Sequence, residues 1–431
     1  MRINKAFLTL AAAVMALAAT IPATQAQNTM VTSPYSRYGY GLLNDHATSM
    51  QRAMGGVGYA MNSGRQINVM NPASYAAIDS LTFLFDIGMD MSLQWNREGS
   101  KYGRDFGGGL DYITMQVPIT KYLGASAGLL PYSSVGYAFG GETDNGNETR
   151  EGSGGLNQLY LGLSGKIVKG LTVGANISYL WGEMTNTAFG ITDPGVTGGT
   201  TAPVGRYQHV IDVKDWHVNF GVQYTINISR LNSLTFGATF SPGKDLHGHT
   251  FGTVTHGTSS SSGIQFSTPD TIGYSRLDGN FTLPDTWGAG IAYKWNQRLL
   301  AEVDFTYQNW KDAKFKAIEG WESTTFDNRW KVAAGIQYQP NPRGSYLSRI
   351  NYRIGGFYNH DYITIRGNNV RDYGVSAGFG FPVPSFKTLV NLTFEYRHRQ
   401  AHPDPLVKEQ YFNIAIGVNF NEMWFWRNKL R

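Results

Sequence analysis

The chain has no cysteine among its 431 residues, which rules out both a disulfide framework and the acylated cysteine of a lipoprotein. Beyond residue 26 it also lacks any run of about eighteen consecutive apolar residues, and this excludes a bundle of membrane-crossing helices. Charge is sparse, at 16% of residues. No run of lysine and arginine occurs, so nucleic acid is not an expected partner. The formal charge of +5 loses two units if Arg2 and Lys5 are removed, so a pI of 9.0 says little about partners.

Arg2 and Lys5 belong to a leader. They precede an apolar stretch from Ala6 to Ile21, then Pro22, then the small-x-small sequence Thr24-Gln25-Ala26. That order is expected of a secretory signal peptide spanning residues 1–26. Export leaves periplasm, outer membrane or exterior as destinations. The abundant residues are 52 glycines, 25 tyrosines, 23 phenylalanines and 10 tryptophans, a composition suited to strands, close turns and membrane-interface rings.

From about Leu81 to Phe420 one unit recurs, a run of roughly ten residues with every second side chain apolar. Phe412, Ile414, Ile416, Val418 and Phe420 share one face of the last run, while Asn413, Gly417 and Asn419 share the other. Successive strand side chains point to opposite faces, so each run has one apolar and one polar side. Trp216, Val218, Phe220, Val222 and Tyr224 repeat the pattern, with an aromatic ring at each end. A soluble sandwich core has no use for such ends, whereas the two aromatic girdles of a membrane barrel do.

About fourteen runs can be placed, near 81–93, 109–117, 123–139, 156–166, 171–182, 216–225, 234–241, 285–294, 299–309, 329–338, 347–358, 372–381, 388–397 and 410–420. Long polar connections near 94–108, 140–155, 183–213, 242–284, 310–328, 359–371 and 398–409 alternate with short ones. Putting every long connection at one end is the topology of a transmembrane antiparallel β-barrel. The expected organisation is a signal peptide (1–26), an N-terminal hatch or plug (27–80), the barrel (81–420) and a periplasmic C-terminal tail (421–431). The aromatic, basic sequence of that tail suits interfacial anchoring or partner docking.

Several short motifs lie along this frame. Gly55-Gly56-Val57-Gly58 precedes Asn71-Pro72-Ala73 in the hatch. Leu283-Pro284-Asp285 opens a strand through Trp287, Gly290 and Tyr293, and the next carries Asp304, Tyr307 and Trp310. Phe326-Asp327-Asn328-Arg329-Trp330 leads to Gly335 and Tyr338, and Arg353-Ile354-Gly355-Gly356 follows. In order and spacing the set resembles the FadL/TodX family of outer-membrane fatty-acid and hydrocarbon transporters. The resemblance implies a fourteen-stranded barrel blocked by an N-terminal hatch, with Asn71, Pro72 and Ala73 as the hatch motif. It also implies a hydrophobic ligand that leaves the lumen sideways through a kinked third strand.

The third strand meets Pro131 after Leu129-Leu130 and continues to Gly136. Proline cannot donate a ladder hydrogen bond, so it marks either a local opening, hence a candidate lateral gate at Pro131 and Gly136, or the end of the strand. Asp86 and Asp90 in strand one and Glu302 and Asp304 in strand nine occupy lumen-facing positions. Pore lining explains them better than acid–base chemistry.

His247, His249 and His256 fall in one outer connection with no tight acidic partner in sequence, and no metal site is expected. No Ser, His and carboxylate stand at a recognisable spacing, so no catalytic residue, enzyme activity or cofactor is expected. The expected location is the bacterial outer membrane, with its lipid as the surrounding partner. Two functions stay open: a FadL-like channel for passive uptake of small hydrophobic compounds such as long-chain fatty acids or hydrocarbons, or a non-transporting accessory barrel in an outer-membrane secretion or protein-assembly complex.

Overall fold

A computed structural model describes residues 32–193, 201–260, 263–296, 298–316, 325–383 and 387–423. The signal peptide expected at residues 1–26 and the tail beyond Met423 lie outside the described residues.

Fourteen long strands form the wall. They are β1 (Thr82–Glu98), β2 (Lys101–Pro118), β3 (Leu123–Thr143), β4 (Gly146–Val168), β5 (Leu171–Thr192), β6 (Ala202–Asn227), β7 (Asn232–Ser241), β8 (Thr286–Trp295), β9 (Leu299–Gln308), β10 (Arg329–Tyr338), β11 (Asn351–Ile365), β12 (Asn368–Pro382), β13 (Leu389–His402) and β14 (Lys408–Met423). Each pairs antiparallel with the next, and β14 closes on β1 from Thr82↔Met423 to Arg97↔Lys408. Closure removes the two free edges that an open sheet would carry.

The alternation read from the sequence sets the two faces. On β1 the side chains of Met89, Met91 and Trp95 are exposed, while Leu84, Asp86, Asp90, Ser92 and Gln94 are buried inside. Around the wall Leu161, Leu163, Ile177, Phe220, Ile291 and Val303 are exposed on the outer surface. A contiguous apolar belt of this extent suits lipid rather than water. Trp95, Trp216 and Trp287 rim its outer edge, and Tyr122, Tyr224 and Tyr338 rim the end with the short turns.

The structure differs from the sequence reading above the belt. The stretches 94–108, 140–155 and 183–213, expected as loops, are largely strand: β1 turns into β2 after Glu98, β3 into β4 after Thr143, and β5 runs on to Thr192. The connection 242–284 contains a further strand, Gly248–Ser260, paired beside β6 from Gly248↔Val213 to Ser259↔Ala202. A strand needs about 9–11 residues to cross the hydrocarbon layer. β6 has 26, so much of it stands clear of lipid, where nothing enforces apolar alternation although backbone pairing continues. The boundary expected at residue 421 also shifts, because Asn421 to Met423 pair with Leu84 to Thr82 as part of β14.

Residues 33–78 fold inside the barrel as short pieces: a 3-10 turn at Pro34–Arg37, a bridge at Leu42–Leu43, a helical turn at Ser49–Arg52 and a second 3-10 turn at Pro72–Ala77. Tyr35, Tyr40, Met54, Val57 and Tyr75 are buried almost completely. At the outer end Tyr35, Tyr40 and Leu42 join Leu246, Leu277, Phe281, Leu283, Trp310 and Tyr362 in one hydrophobic core. The connection 242–284 therefore contributes buried apolar residues, contrary to its polar appearance. They are too scattered in sequence to form a visible cluster until the fold gathers them.

Candidate functional site

The functional region is the junction between the internal segment and the wall. Close approach comes first. Gly55 and Gly56 adopt positive φ values of +77° and +81°, a conformation open to glycine without steric cost. A Cβ on Gly355 or Gly335 of the wall would overlap the Met54 backbone, and one on Gly221 would overlap the Asn71 side chain. These bare positions let the inner segment lie directly on the strands.

Polar groups then fix it in place. Asn71 is fully buried; its carboxamide oxygen accepts from Ala73 N at 3.0 Å and so caps the Pro72–Ala77 turn, while its Nδ2 donates to Tyr59 O at 2.7 Å and Val222 O at 3.2 Å. Pro72 opens the turn, where its missing N–H costs nothing. The Ala73 carbonyl accepts from Ser164 Oγ of β4 at 2.8 Å.

The lumen-facing acids bind this segment or support its partners. Asp304 Oδ2 accepts from Gly58 N at 2.6 Å and Tyr59 N at 2.9 Å. Glu302 Oε1 accepts from Ala60 N at 2.7 Å. Asp90 pairs with Arg52 at 2.5 Å, and the same guanidinium reaches Asp111 of β2 at 2.8 Å. Asp86 accepts from Tyr112 at 3.0 Å, whose hydroxyl also accepts from Ser49 N at 3.0 Å.

A second lock was not singled out in the sequence. Asp45 meets Arg329 at 2.8 Å and Lys331 at 2.6 Å, both on β10. Burial works to raise the Asp45 carboxyl, but the two cations overcome it and hold the group well below the ordinary carboxylate range. Its neighbour His46 is pushed down to about 4 by burial, and its ring lies 5.8 Å from that of Tyr132. Arg329 falls within a quoted motif, yet nothing local in the sequence joins it to a residue 284 positions away.

Two small polar cavities flank this lock. One of about 100 Å³ is lined by His46, Tyr132, His217 and Arg329, and one of about 110 Å³ by Arg52, Asp90, Glu395 and Arg397. Ligand pockets typically run from about 300 Å³ upward with mainly apolar walls. A wider vestibule of about 630 Å³ opens below, between Ala60, Thr172, Thr225 and Lys294.

The wall parts at one place. β2 and β3 pair only from Pro118↔Gly124 to Ile113↔Leu129. Just above, Asp111 is an extra residue between the β1 partners of Tyr112 and Leu110, and Tyr132 is an extra residue between Pro131 and Ser133. The inner segment takes the vacated edge of β3. Leu42 and Leu43 pair with Ser134 and Ser133, Ser33 N donates to Gly136 O at 2.7 Å, and Asn44 N donates to Tyr132 O at 3.0 Å. Pro131 and Gly136 thus bracket the parting, and β3 continues through both. The break was visible as Leu110 and Ile113, both outward-facing but three apart instead of two.

The outer-loop histidines separate: His247 approaches Asp215 and Asp278, while His249 approaches Asp212. Among the described residues no group of three or more acidic or histidine side chains could share a metal ion.

Comparison with solved structures gives this barrel the FadL/TodX-type fold. The toluene transporter TodX of Pseudomonas putida superposes with a TM-score of 0.60 at 15% identity, over 89% of this chain and 99% of its own. The toluene transporter TbuX of Ralstonia pickettii gives 0.58 at 15%, over 86% and 97%, and a FadL homologue of Pseudomonas aeruginosa 0.57 at 11%, over 88% and 99%. No curated protein sequence matches. The model of one protein family, BamG, matches residues 5–431.

Proposed function

The chain belongs to the BamG family, and from the filled lumen inside its channel-type wall we propose that it is a non-transporting accessory barrel of the bacterial outer membrane. In this role it is a scaffold within a secretion or protein-assembly complex. The observation that carries the reading is the attachment of the inner segment. It is tied to β1 and β2 through Arg52, to β9 through Asp304 and Glu302, and to β10 through Asp45. The hydrophobic core around Trp310 and Tyr362 covers it from outside. Displacing a segment held this way strands several largely buried charges at once, at roughly 2–4 kcal/mol for each partly exposed pair broken. Gentle purification from native membranes tests the proposal. A multi-protein complex of fixed stoichiometry is expected, and a solitary barrel holding an elongated apolar molecule would overturn it.

A second reading is favoured by the parted wall. In it a small hydrophobic compound, of the class named for TodX and TbuX, passes sideways between β2 and β3 beside Pro131 and Gly136. Its test is uptake of labelled toluene by cells with and without the chain. Uptake that depends on the chain and is lost on deleting residues 27–80 supports it, and equal uptake removes it.

A further inference from the structure

The two edges of the parting differ in how their backbones are satisfied. β3 is covered from Tyr132 to Gly136 by the chain's own Ser33–Asn44 segment. Opposite it, β2 pairs with β1 on one side, but among the described residues nothing pairs with its other side above Ile113. The depth of that edge matters. Phe106 lies opposite Leu93 and Leu110 opposite Met89, between the Trp95 rim and the middle of the apolar belt. At this depth the hydrocarbon layer offers no hydrogen-bonding partner to a lipid-facing backbone group, and lipid-exposed open sheet edges are strongly disfavoured.

Between the flanking Asp105 and the bulge at Asp111 the edge lacks two of the usual protections. Phe106-Gly107-Gly108-Gly109-Leu110 contains no charge and no proline, the devices that keep exposed edges from pairing. Three successive glycines leave the backbone open to close approach. Phe106 and Leu110 stand 68% and 40% exposed on the outer face.

Resting on the scaffold reading above, we propose that the Phe106–Leu110 edge of β2 is a docking site for an extended strand of a second outer-membrane protein. The strand pairs through backbone hydrogen bonds and lays apolar side chains beside Phe106 and Leu110. Only a strand satisfies a row of backbone donors and acceptors at this depth, and Leu42–Leu43 already completes the facing edge of β3 in the same manner.

Photocrosslinking in native membranes tests this, with benzoylphenylalanine placed singly at Phe106 and Leu110 of the full chain. Ile354 and Val375, exposed on the closed part of the wall, serve as controls. Phe106 and Leu110 are expected to give adducts with one and the same outer-membrane protein, at contact points on one of its extended segments in step with β2. The controls are expected to give none. Adducts only with lipid, with β3 or the N-terminal residues of the same chain, or with a second copy would overturn the assignment. If a native complex purifies but the β2 positions give only those adducts, the edge assignment fails while the scaffold reading stands. If no complex purifies, both fail.

Discussion

Asp45 concentrates the chemistry of the junction in one side chain. Replacing it with alanine leaves Arg329 and Lys331, 7% and 6% exposed, without their counter-charge. Asp45 itself is 26% exposed, so the cost is expected below that of a fully buried pair, at about 2–4 kcal/mol. Asp45→Ala should lower the midpoint of urea unfolding in detergent and expose the inner segment to protease while the barrel stays folded.

The adjacent histidine sets the direction of a pH response. His46 has its ordinary value near 6.5 when unfolded and about 4 in the folded chain, so the unfolded form binds the proton more readily. Its contribution is present above about 6.5 and is lost as pH falls toward 4. The depressed Asp45 carboxyl adds a loss at still lower pH as it protonates. Unfolding free energy compared between the native chain and His46→Gln at each pH should therefore shift against the native chain as pH falls from 7 to 4. Gly355→Val is a steric counterpart: its side chain meets the Met54 backbone, and faster protease cleavage of the inner segment is expected without loss of the barrel.

At the scale of elements, all fourteen strands were legible because lipid on one side and a polar interior on the other impose a period of two. The outer ends of β3 to β6 were not, since water bathes that region and Gly140 to Thr149 carry no apolar rhythm. The bulge at Asp111 left a trace in the spacing of Leu110 and Ile113, whereas the substitution of Leu42–Leu43 for β2 left none, being a pairing across about ninety residues. The extended hairpin offers a clean test of the boundary. Replacing Gly140–Thr149 with Asn-Gly joins the paired positions Phe139 and Arg150 by a favoured two-residue turn. Heat-modifiable migration and unfolding temperature should stay at wild-type values, because the removed residues stand beyond the belt.

For the whole molecule, the fold was readable as alternation and the junction was not, because a lock such as Asp45 with Arg329 and Lys331 exists only once the barrel has closed around the inner segment. Asn71-Pro72-Ala73 and the glycines near Gly335 and Gly355 were visible as motifs. Their physical reason, a backbone laid flat on the wall, emerges only in three dimensions. The same packing separates a scaffold from a channel, since a channel needs its inner segment to move and a scaffold does not. The absence of native cysteine makes that distinction measurable with a single introduced disulfide. Leu43 and Ser133 are cross-strand partners at a separation a disulfide can bridge. Leu43→Cys/Ser133→Cys, oxidised in a strain lacking the native chain, should rescue that strain's phenotype and enter the native complex as wild type does, with or without reductant. Loss of rescue on oxidation, restored by reductant, would contradict the scaffold role and show that the inner segment must move.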